Sequence, residues 1–183
     1  MESYLTSIIK QFKYYKSLGD KTFNSLDFND LQNEIAEDAN SIAIIVKHIS
    51  GNMLSRWTNF LTEDGEKEWR KRDREFENTY TNKKELIEDW NLGWQCLFDA
   101  IMPLKNSDLE RVIYIRNQGH TVTEAINRQL AHYSYHIGQI VLLGKILKGK
   151  DWQSLSIPKG DSKKYNKDKF SKEKGKRHFT DDL

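Results

Sequence analysis

The sequence predicts an all-α protein: a four-helix bundle with short connecting helices and a flexible basic C-terminal tail. Four long segments repeat apolar residues every three or four positions, the signature of helices with one buried face. Only two prolines and ten glycines interrupt the 183 residues. The hydrophobic share of 37% is low and the charged share of 31% is high, a balance that suits slender, surface-rich helices better than a deep α/β core. One core serves a chain of this length, so residues 1–158 are expected to form a single domain and residues 159–183 the tail.

The first helix is expected over residues 2–18, where Leu5, Ile8, Phe12, Tyr15 and Leu18 share a face, with Gly19-Asp20 as its stop. Between Lys21 and Ala39, Asn and Asp separate the apolar groups Phe23/Leu26 and Phe28/Leu31/Ile35, which predicts one or two short helical turns across the bundle end. Asn40 can cap a second long helix reaching about Leu61, with Ile42, Ile45, Val46, Ile49, Met53, Trp57 and Phe60 as its buried stripe. Gly51 in mid-helix costs about 1 kcal/mol relative to alanine, which points to the close approach of a neighbouring helix or a ligand.

Thr62–Tyr80 alternates charges around Trp69 and Phe76 and reads as an ordered surface loop pinned by those two aromatics. A third helix starts near Asn82, where Glu85 completes a capping pattern, and runs to about Ile101 before Pro103. Residues 111–116, RVIYIR, look extended and the following Asn-Gln-Gly is turn-like, so a short strand or extended connector leads into the fourth helix. That helix, Thr121–Leu147, opens with a Thr121/Glu124 capping box and spans roughly 40 Å at about 1.5 Å per residue. Trp152, Leu155 and Ile157 are expected to fold back on the bundle, whereas Lys159–Lys176 has the low hydrophobicity of flexible chain.

Charge is unevenly spread. Residues 158–183 hold nine Lys/Arg and five Asp/Glu, a balance of +4, which leaves −2 on the rest of a chain whose total is +2. The body therefore carries no sign of phosphate-backbone binding, nucleic acid is not an expected partner, and a basic tail of this kind ordinarily serves solubility. The N-terminal stretch lacks a signal-peptide layout and no apolar run reaches the roughly 18 residues that cross a bilayer, so the chain is expected to be cytoplasmic and free of membrane. The lone Cys96 cannot form an internal disulfide, and nothing around it suggests the cationic setting of a nucleophile.

The chemistry gathers on the fourth helix. His132 and His136 stand one turn apart, so both imidazoles can turn to one point and offer a metal two nitrogens. His48, at the edge of the second helix's buried stripe, is the third candidate ligand; three neutral imidazoles leave a tetrahedral ion one open position for water or a substrate atom. The alternative is a set of half-buried histidines bonded to polar neighbours.

A di-iron carboxylate site is excluded because the residues three before these histidines are Ile45, Gln129 and Tyr133 rather than Glu. Tyr133 after His132 likewise excludes the His-Glu-x-x-His metalloprotease pattern. There is no glycine-rich phosphate loop, no G-x-S-x-G elbow and no paired-cysteine knuckle. Arg128 and Gln129, one turn before His132, and Asn52, one turn after His48, can position a substrate or steady a ligand imidazole; Arg128 can equally pair with a carboxylate at a helix seam. Trp90 and Trp94 read as core rather than pocket wall, and His120 and His178 are poor ligand candidates.

His48 in NSIAIIVKHISGNM, together with INRQLAHYSYHIGQI around His132 and His136, resembles the DinB-like superfamily of metal-binding four-helix bundles. DGEKEWRKRDREFE at 64–77 and DWQSLSIPKG at 151–160 further resemble one bacillus-type branch of it whose function is unassigned. The resemblance implies an up-down-down-up bundle, a divalent metal such as zinc or nickel on His48, His132 and His136, and a homodimer. It also implies, from the superfamily's thiol-dependent S-transferases, a metal that activates a low-molecular-weight thiol against an electrophilic small molecule. Three functions follow as expectations: a metal-dependent thiol S-transferase with a hydrolase as close variant, a non-catalytic metal- or ligand-binding bundle, and an interaction protein acting through its tail.

Overall fold

The structure, a computed structural model, describes residues 2–181. Helices account for 62% of the chain beside one small two-stranded sheet, so the protein is mostly helical. The described residues form α1 (Glu2–Ser25), α2 (Phe28–Gln32), α3 (Ile42–Trp57), α4 (Lys83–Ile101), α5 (Val122–Lys148) and α6 (Ser162–Ser171). Strands β1 (Val112–Ile115) and β2 (Gln118–Thr121) pair antiparallel, with Val112 opposite Thr121 and Ile115 opposite Gln118. No helix among these residues is long and apolar enough to cross a membrane.

α1 packs on α5 and more lightly on α4, while α3 packs on both α4 and α5. Where they meet, an aromatic cluster fills the core. The ring centroids of Phe12 and Trp94 lie 6.3 Å apart, Trp94 and Tyr133 6.0 Å, and Trp90 and Trp94 5.4 Å, mostly edge-to-face. Such pairs add about 0.5–1.5 kcal/mol beyond the area they bury. Trp90 and Trp94 are fully buried, as expected of core residues.

Capping chemistry sets the helix starts. The Thr121 hydroxyl accepts from the Glu124 amide while the Glu124 carboxylate accepts from the Thr121 amide, closing the expected capping box of α5. Asn82 caps α4 through the Glu85 amide. α3, however, is capped by Ser41, whose hydroxyl accepts from the Ile44 amide, one residue beyond the Asn40 expected to do so. It also ends at Trp57, short of Leu61.

α1 runs through Gly19 instead of stopping there. A Cβ on Gly19 would stand 2.5 Å from the Trp90 ring, so this glycine admits the indole against the helix. Its neighbour Asp20 then accepts from Trp90 Nε1 at 2.8 Å.

The extended stretch 111–116 is half of a hairpin. Its turn falls on Arg116 and Asn117, at φ 55° and 59°, whereas Gln118-Gly119, expected in the turn, already lie in β2. Left-handed backbone costs a non-glycine residue roughly 1–2 kcal/mol. The Asp64 carboxylate offsets part of that by accepting from both amides at 2.8 Å.

Trp152 lies against Gly144 of α5 and so does fold back. Residues 162–171, expected as part of a flexible tail, form α6. Farther on, His178 bonds to Ser7, Asp181 pairs with Lys10 and the Phe179 ring meets Tyr14 edge-on, all on α1.

Candidate metal centre

Two helices and one loop build the site. On α3, His48, Asn52 and Arg56 are spaced four apart and line one stripe; on α5, Gln129, His132 and His136 follow the i, i+3, i+7 spacing of one face. Packing of α3 on α5 turns these stripes toward each other. One potential ligand atom from each of His48, His132 and His136 lies within 4.8 Å of the other two. His132 Nε2 and His136 Nε2 are 3.1 Å apart.

Each outer histidine is oriented through its other nitrogen. His48 Nδ1 donates to Glu75 Oε2 at 2.9 Å and His136 Nδ1 to Gln139 Oε1 at 2.7 Å, which leaves the Nε2 lone pairs for the centre. Burial, reinforced by His136, His48 and the charges of Arg56 and Arg70, pushes the His132 pKa down to about 3. Burial also lowers His136, against the opposing bond from Gln139. Metal binding requires neutral imidazoles, so the donor set fits a divalent ion.

Glu75 is the residue the sequence reading missed. It sits at the end of a 3-10 turn, Arg72–Phe76, in the loop between α3 and α4. Its two oxygens take Arg70 Nε and Nη2 at 2.8 and 2.9 Å in a bidentate pair as well as His48. Burial would raise its pKa, but the bonds from His48 and Arg70 outweigh that and hold it below the usual carboxylate range.

Gly51 makes this possible. A Cβ there would stand 2.5 Å from Glu75 Oε1, so the close approach anticipated at this glycine comes from neither a helix nor a ligand but from a carboxylate. Of the two aromatics expected to pin the loop, only Phe76 does so, with Arg70 in place of Trp69. Trp69 is 56% exposed, whereas the Arg70 side chain is 2% exposed, and Phe76 stacks on the His48 ring at 5.0 Å.

Beside the histidines opens a cavity of about 290 Å³. Its wall is made by His48, Asn52 and Arg56 of α3, Arg128, Gln129 and His132 of α5, Arg70 and Arg72 of the loop, and Arg116 of the hairpin turn. Among the described residues no Asp or Glu side chain lines it. Asn52 Oδ1 accepts from the Tyr133 hydroxyl, which itself accepts from Trp57 Nε1, both at 3.1 Å, so Asn52 is held from behind by the core. Arg128 bonds to His120 at 3.2 Å rather than to a carboxylate. Cys96 lies away from this cavity, with its thiol pKa raised by burial.

Residues 1–161 match the family described as "Protein of unknown function (DUF1572)". The chain belongs to this family. DUF1572 falls within the DinB-like helical superfamily, in keeping with the resemblance of the histidine-bearing segments. No curated protein and no solved structure matches the chain. For a DUF1572 protein the signal that could have found Glu75 was present: the 64–77 segment carried a branch-level resemblance, and Gly51 marked a close neighbour. Neither says which acid of a charge-alternating run turns inward.

Proposed function

We propose that this DUF1572 protein is a metal-dependent enzyme of the DinB-like type, a thiol S-transferase using zinc or nickel on His48, His132 and His136. On this reading the long helices form the up-down-down-up bundle, the domain ends near residue 158, and the protein is a cytoplasmic homodimer of the bacillus-type branch. The observation that carries the reading is the cluster of three histidines, two of which, His48 and His132, line a cavity with a polar wall. A bound divalent ion would lower the pKa of a thiol docked on it, so that thiolate forms near neutral pH.

The chain's own residues do the rest. Glu75 and Gln139 hold His48 and His136 in the tautomer that presents Nε2 inward. Asn52, Gln129 and Arg128 position the substrate from the wall. The absence of a carboxylate among the described wall residues favours thiol transfer over the hydrolase variant, because hydrolysis gains from a general base beside the attacking water while a metal-activated thiol needs none. The same absence supports a second reading, a non-catalytic metal- or ligand-binding bundle.

The test is elemental mass spectrometry on untagged protein purified without chelating resin, for wild type and His48→Ala, followed by a panel of thiols and electrophiles. The expected result is about one divalent ion per chain, largely lost in the variant, with metal-dependent thiol transfer in the panel. Metal with no transfer moves the protein to the binding-module reading. Wild type that neither carries nor takes up zinc or nickel rejects the enzyme reading, makes the histidines structural and leaves the ligand-binding bundle.

A further inference from the structure

Five arginines, Arg56, Arg70, Arg72, Arg116 and Arg128, contribute to the wall of one small cavity. Guanidinium does not give up its charge at physiological pH, so the cavity cannot neutralise itself by titration. Three nearby carboxylates offset only part of this: Asp64 lies within electrostatic reach of Arg56 and accepts from the Arg116 and Asn117 amides. Glu75 is taken by Arg70 and His48, and Glu66 is shared among Arg56 at 3.0 Å, Arg70 at 3.2 Å and Arg116 at 3.2 Å. Arg72 lies over the Phe76 ring and only 3.9 Å from the exposed Asp73, while the partner of Arg128 is a histidine.

Two buried polar atoms add an independent observation. Arg56 Nε and Gln129 Oε1 find no hydrogen-bond partner among the described residues, although Arg56 is 7% exposed and Gln129 3%. Both residues line the cavity, and native structures rarely leave such groups unmatched unless a ligand, ion or water completes them. One is a charged donor, the other an acceptor.

The hairpin points the same way. Arg116 is held at positive φ by the Asp64 carboxylate, and the loop that supplies Arg70 and Arg72 is tied down by Ser55 and Arg56, which both donate to the Gly65 carbonyl. The Gly65 amide in turn donates to Tyr114 O of β1 at 2.8 Å. Three separate chain segments are thus fastened together with their arginines around one space.

We infer that this cavity is an oxyanion subsite: it takes a small ligand bearing a carboxylate or phosphate, paired with the guanidinium groups beside the histidines. Its size, near the lower end of roughly 300–1,000 Å³ for ligand pockets, suits a small molecule. Planar guanidinium forks match both anions in bidentate fashion. The inference deepens the proposed function, resting on it only for the idea that the ligand's reactive atom meets a metal; anion pairing itself needs none.

The experiment is isothermal titration of the full chain, metal-loaded and metal-free, with inorganic phosphate, succinate and neutral succinamide. The variant is Arg116→Gln combined with Arg128→Gln, two exposed side chains whose loss leaves Glu66 paired with two other arginines. Saturable binding of phosphate or succinate by wild type in both metal states, at least tenfold weaker in the double variant and undetectable for succinamide, is the expected result. Which of the two anions binds tighter identifies the ligand's charged group.

Failure of both anions to bind wild type overturns the inference, as does equal binding by the double variant. Binding that appears only with metal and ignores the arginines also overturns it, placing the anion on the ion and leaving the metal reading intact. Arginine-dependent binding in protein that takes up no metal upholds the subsite while the metal reading falls.

Discussion

The aromatic core and the histidine cavity are built from two different faces of one helix, α5, and they are stabilised in opposite ways. Tyr133 turns into the cluster with Phe12 and Trp94, while its neighbour His132 turns to the cavity. The core relies on area shared among many apolar contacts and even leaves Trp94 Nε1 without a partner among the described residues. The cavity relies on a few charged bonds between segments far apart in the chain, each of which strands a buried charge if broken. One region is held by quantity, the other by pairing, so equal losses of stability in the two should have unequal chemical consequences.

The largest effects test that directly. Phe12→Ala and Glu75→Ala should each cost about 3–5 kcal/mol in urea unfolding, the first through a cavity and the second by leaving Arg70 and His48 without their carboxylate. Metal affinity should separate them. Glu75→Ala should lower it by roughly 10- to 100-fold through loss of the bond that orients His48, and Phe12→Ala should leave it nearly unchanged. Equal metal loss in both would erase the distinction between the two regions.

A smaller effect sharpens it. Gly51→Ala places a methyl 2.5 Å from Glu75 Oε1, so despite a helix-propensity gain of about 1 kcal/mol it should be net destabilising by about 1–3 kcal/mol and should weaken metal binding. The smallest is its control. Gly138, on the exposed side of α5, has nothing within 4 Å of a would-be Cβ, so Gly138→Ala should stabilise by up to about 1 kcal/mol and leave metal uptake alone. Both are read by the same unfolding curve and metal titration. A Gly51→Ala protein as stable and metal-competent as Gly138→Ala would remove Glu75 from the role given to it.

The sequence by itself determined the long helices, the caps of α4 and α5, the burial of Trp90 and Trp94, and the three histidines as a candidate set. Each is a local property: periodicities of three and four, a capping residue with its acid three positions on, two imidazoles a turn apart. Gly19 and Gly51 were legible as exceptions but not in meaning, since a glycine records that something comes close without saying what. Glu75, Arg70 and the cavity arginines other than Arg128 were not legible.

Their partners lie on other elements: Glu75 reaches His48 across 27 positions, and Asp64 reaches the hairpin turn across 52 and 53. A charged loop residue bound for solvent and one bound for a buried pair have the same local sequence pattern. Only the tertiary structure, by carrying the 62–80 loop against α3 and the hairpin, decided which charges turned inward, because desolvation and pairing depend on what else is packed nearby and not on neighbours in the chain.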